Sequence, residues 1–156
     1  MRPDEMLARR LAGEVHDELR NLSTLRAESA GAPRGDDSYS LRARASILHD
    51  FYTCVERVFV LIAEELNGGV PAGEHWHRRL LHTMSLEIAG VRPAVVSEEL
   101  ARALGEYLRF RHVFRSVYGF VLDESRMKPL EDAFPATATR ASDELVAFTE
   151  WLVGED

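Results

Sequence analysis

Apolar residues in this chain recur at intervals of three and four, and no segment alternates with the period of a strand. Leu41, Ala45, Leu48, Tyr52, Val55, Phe59, Ile62 and Leu66 make the longest such run. Positions spaced this way share one face of an α-helix. The spacing predicts a helix from Tyr39 to Leu66, capped by Ser38 or Ser40 and ended by Asn67-Gly68-Gly69. Phe51, Val58, Val60 and Leu61 widen the stripe, as expected of a central helix with neighbours on two sides.

The same reading extends to the rest of the chain. Leu7, Leu11, Val15, Leu19, Leu22 and Leu25 predict a first helix within residues 1–30, regular from Pro3 to Glu28, and residues 31–37 read as a loop. A third helix is expected over Glu74–Ile88, with Trp76, Leu80, Leu81, Met84 and Ile88 inward. Ser97, followed by Glu98 and Glu99, opens a fourth that runs through Tyr118 and stops at Gly119. Asp123 caps a turn through Met127, Phe134-Pro135 marks a boundary, and Ala136–Leu152 is the last helix. The expected fold is all-α, five helices in an up-and-down bundle, with residues 1–156 as one domain.

Composition narrows the function classes. One cysteine, Cys54, excludes an intramolecular disulfide, and its apolar setting predicts a buried, inert thiol. No apolar run has the length of a membrane span, and Met1 to Arg10 lacks a signal-peptide core, so a cytoplasmic protein with no membrane association is expected. His75, His77 and His82 suggest metal binding, but the closest two fall on opposite sides of a helix and no Cys or Asp completes a set. No metal or other cofactor is expected. The net charge of −7 argues against a broad nucleic-acid footprint. Arg102, Arg109, Arg111, Arg115, Arg126 and Lys128 still form a local basic run, suited to a short anionic segment or to nucleotide phosphates.

The densest chemistry lies in RFRHVFRSVYGFVLD, from Arg109 to Asp123. On a continuous helix Arg111, Arg115 and Tyr118 share one stripe, and Arg109, His112 and Ser116 share the next. Cations are favoured at a helix C-terminus, so an anionic ligand there would be drawn by side chains.

This stretch resembles the Arg-x4-His-x-Tyr signature of the HEPN superfamily, in its HepT-like branch of ribonuclease toxins. Arg111 stands at the signature Arg, Tyr118 at the Tyr, and Ser116 where the signature has His. HDFYTCVERVF from His49 and GEHWHRRLLHTMSLEIAGVRPAVVSEEL from Gly73 are similar to the same branch. The resemblance implies a HEPN-like bundle, a homodimer, and metal-independent RNA cleavage in which the ribose 2′-hydroxyl attacks the adjacent phosphorus. It implies that Arg111 stabilises the phosphoryl charge, with Arg109 and Arg115 as further phosphate contacts. It also implies a nucleotidyltransferase antitoxin as partner, with Tyr118 open to adenylylation. Ser116 does not titrate near neutrality, which weakens acid–base chemistry by about 10²- to 10⁴-fold. His112 is the alternative, one helical turn and about 5 Å away. The other reading is a catalytically deficient HEPN module that binds its partner, a nucleotide or RNA.

Overall fold

The computed structural model describes residues 3–154; Met1, Arg2, Glu155 and Asp156, which the expected single domain includes, lie outside the described residues. Five α-helices follow in order: α1 (Glu5–Ala30), α2 (Ser38–Leu66), α3 (Trp76–Met84), α4 (Glu98–Ser116) and α5 (Glu124–Val153). A 3-10 turn, Gly119–Val121, separates the last two. The fold is all-α, and α2 packs against every other helix, as its wide apolar stripe requires. None of the helices is long and apolar enough to cross a membrane, among the described residues.

Local chemistry explains most of the helix starts. The Asp4 carboxylate accepts from the Leu7 amide at 3.0 Å, and Ser97 Oγ accepts from the Leu100 amide at 3.1 Å. Glu144 on α5 also accepts from the Ser97 amide and hydroxyl, which ties the start of α4 to its neighbour. The cap of α2 is Asp37, one residue before the expected serines, and its carboxylate accepts from the Ser40 amide and hydroxyl. The Ser40 hydroxyl holds that carboxyl below its usual range.

Several boundaries differ from those the spacing predicts, and three of them bear on the site or the bundle. Helix α3 ends at Met84, four residues before Ile88. The buried Arg92 guanidinium takes the carbonyls of Thr83, Leu86 and Pro93, together with the Asn67 side chain, and Ile88 pairs with Arg92 in an isolated antiparallel bridge. Carbonyls committed to a buried cation do not extend a helix. Helix α4 ends at Ser116, not Tyr118, and Gly119 does not take the left-handed conformation. Helix α5 begins at Glu124 and runs through both Pro129 and Pro135. Both prolines face solvent, while Met127, Phe134, Thr137, Ala138 and Ala141 are buried on the opposite face. Continuous burial outweighs the two hydrogen bonds that proline cannot make.

The core holds Phe51 between Tyr107 and Phe134, edge to face, at centroid distances of 5.0 and 5.1 Å. Cys54 is buried as expected; burial, reinforced by Glu18, pushes its thiol up to about 12. Arg44 is the main polar tie between the first loop and α5. It donates to Glu131 at 2.6 Å, Glu124 at 3.0 Å, and the carbonyls of Pro33 and Gly35 at 2.9 and 2.7 Å. Arg44→Met should lower unfolding free energy by about 3 kcal/mol, at the low end for breaking a buried pair because Glu124 can rehydrate. Urea denaturation checks this, and a loss below about 1 kcal/mol, the worth of a surface pair, would contradict it.

Candidate functional site

Ser116 spends its hydroxyl on its own helix. Its Oγ is 3.0 Å from the carbonyls of both His112 and Val113, in the last turn of α4. Val117 is then extended, so Tyr118 lies outside the helix and off the stripe it was expected to share with Arg111 and Arg115. Its ring is 75 % exposed and stacks on Phe120 at 5.3 Å, nearly parallel. A Cβ at Gly119 would meet the exposed Arg42 side chain of α2, which would have to move aside.

Arg111 points the other way, into the bundle. Its guanidinium is buried, donates to Glu56 Oε1 at 2.9 Å and to Thr53 Oγ1 at 3.3 Å, and sits 5.0 Å over the Tyr52 ring. Glu56 is itself buried, and both its oxygens lie 2.9 Å from His77 Nδ1. His77 Nδ1 is also 3.0 Å from Arg111 Nη2. One ring nitrogen cannot donate to the carboxylate and accept from the guanidinium at once. The carboxylate decides: with both oxygens in reach, Nδ1 carries the proton and donates, and Arg111 and His77 share Glu56 as a common acceptor. The Tyr52 hydroxyl is buried without a partner among the described residues, and burial, with Glu56 next in effect, raises it above its usual range.

The other predicted residues lie on the surface. Arg109, His112 and Arg115 are exposed. Arg109 pairs with Glu106 at 3.1 Å, whereas Arg115 has no hydrogen bond or ion pair among the described residues. Arg126 and Lys128 are likewise matched by Asp123 and Asp132. The basic run is therefore largely neutralised locally. The cleft beside it, about 910 Å³ between the end of α4 and the first half of α5, is lined mainly by apolar groups such as Phe110, Val113, Val117 and Leu122. No group of three His, Cys, Asp or Glu side chains is placed to hold a metal, among the described residues.

Thus Arg111 is drawn together with Thr53, Glu56 and His77, and is separated from Arg109, His112, Ser116 and Tyr118. The sequence reading did not single out Glu56, and it weighed His77 only as a metal ligand. An acid on the apolar face of α2 was the available signal, since a buried carboxylate needs a cation. Its partners come from α3 and α4, separations that periodicity does not reveal.

A family model described as HepT-like protein matches residues 43–152. The chain belongs to the HepT-like family. The matched span includes Thr53, Glu56, His77 and the whole of α4, so this HepT-like chain carries its buried polar cluster inside the family region. Comparison with curated proteins and with solved structures returns no match.

Because Arg111 and Glu56 are both buried, removing one strands the other. Glu56→Leu should cost about 3–5 kcal/mol, and adding Arg111→Met should restore most of it. A denaturation cycle over the two positions checks this; independent, additive losses would mean that the pair is not coupled in solution.

Proposed function

We propose that this HepT-like protein is the toxin component of a toxin–antitoxin pair and acts on RNA without a metal. The observation that carries the proposal is the fixed setting of Arg111. The residue at the signature Arg position is clamped by a buried carboxylate and lies against an imidazole that is still partly open. A planar guanidinium held this way is prepared to stabilise charge growing on a phosphoryl group. Arg115, unpaired among the described residues, and Arg109 are the proposed phosphate contacts on the exposed side. The exposed valines and aromatics from Val113 to Val121 supply the proposed homodimer surface.

Tyr118 is the proposed point of control. Its ring stands clear of the bundle, so a nucleotidyltransferase partner could reach its hydroxyl. An adenylate added there would put phosphate charge just beyond the end of α4 and compete with the RNA backbone. Working in the cytoplasm is part of the same proposal.

A second reading, a binding module without turnover, is favoured by Ser116, whose hydroxyl is bound to its own helix. The two separate in a cleavage assay with labelled RNA in the presence of a chelator. The Ser116→His variant should cleave about 10²- to 10⁴-fold faster than the unaltered chain, as a restored acid–base group does. Adding Arg111→Lys to it, which keeps the charge but loses the fork, should abolish most of that gain. RNA bound but uncut by every variant would establish the binding module instead.

A further inference from the structure

We infer that His77, oriented by Glu56, is the acid–base group of this chain and supplies at Arg111 the proton transfer that Ser116 cannot. The inference rests on the proposed RNA-directed function and goes beyond it by assigning a catalytic residue from α3, outside the signature stretch.

The geometry separates His77 from the other histidines near the signature helix. Glu56 fixes its Nδ1–H through two oxygens at 2.9 Å, which makes Nε2 the proton-accepting nitrogen of the neutral ring. Nε2 has no partner among the described residues, and 32 % of the side chain is exposed. The ring is stacked on Trp76 at 3.7 Å, so its direction is set from both sides. Arg111 lies 3.0 Å from Nδ1 of the ring and is itself buried, so the imidazole is the more accessible of the two to an anion attracted by this cation. His112 is exposed and, among the described residues, has no carboxylate to orient it. His49 contacts Asp50 at 3.1 Å, but that acid is its chain neighbour and is half exposed, and the His49 ring faces Phe114.

The step balances without another reagent. Nε2 takes the proton from a ribose 2′-hydroxyl as its oxygen bonds to the adjacent phosphorus. The bond from phosphorus to the 5′-oxygen breaks, the electron pair leaves with that oxygen, and water protonates it. The products are a 2′,3′-cyclic phosphate and a 5′-hydroxyl. His77 is the catalytic residue in this scheme and Glu56 a positioning residue.

The test uses the full chain and a labelled single-stranded RNA of mixed sequence, with chelator present. His77→Asn retains an N–H donor for Glu56 and so preserves the cluster, whereas His77→Ala opens a space that free imidazole can enter. Both should lose about 10²-fold or more in cleavage rate while binding RNA as before. Added imidazole should restore part of the His77→Ala rate and none of the His77→Asn rate. Glu56→Gln should lower kcat with little change in KM, and His49→Ala should match the unaltered chain. Cleavage by His77→Asn within a few-fold of the unaltered chain overturns the inference. So does an unaltered chain that is inactive when Ser116→His cleaves, an outcome that leaves the proposed function standing. If neither cleaves, both fall.

Discussion

One carboxylate joins three helices. Glu56 of α2 accepts from Arg111 of α4 and from His77 of α3, at distances near 2.9 Å and out of water. A charge buried to this extent is tolerable only with a partner of opposite sign. The partners must therefore arrive from two other elements and stay in register. That requirement fixes the rotation of α4 about its axis. With Arg111 turned inward, Arg109, His112 and Arg115 are turned out. The division of the basic stretch into one buried and several exposed members follows from this single pairing.

The helices were legible because their stripes are long and their starts carry plain caps. Ser97 followed by two glutamates gave the first turn of α4, and the structure places the cap there. Their ends were less legible. The limit of α3 depends on Arg92, a residue outside that helix whose buried guanidinium competes for its last carbonyls. The unbroken course of α5 through Pro129 and Pro135 depends on what lies beneath it, namely Phe134 packed on Phe51 and Arg44 held by two of its acids. These are tertiary effects, and a local pattern carries no trace of them.

For the site, sequence spacing found Arg111 and marked Ser116 as the departure from the family pattern. Helical geometry then grouped Arg111 with Arg115 and Tyr118, on the premise that the helix continued to Tyr118. The end of α4 at Ser116 removes Tyr118 from that face. Glu56 and His77 were hidden for another reason. An acid on the apolar face of α2 signals a partner without naming it, and only the packing of α3 and α4 on α2 brings Glu56 and His77 to the same guanidinium. The polar cluster is a property of the assembled bundle.

The two prolines of α5 have a further consequence. Each removes a backbone hydrogen bond, at the carbonyls of Ser125 and Glu131, and both losses fall in the first half of the helix. That half also forms one wall of the apolar cleft, through Pro129, Leu130 and Ala133. The half beyond it keeps an unbroken ladder and closes with Gly154 in the left-handed conformation. Mechanical compliance is thus distributed unevenly along a helix that is continuous to the eye. The wall of the cleft is the less tied part of α5, and the segment beyond it keeps the fuller set of backbone hydrogen bonds.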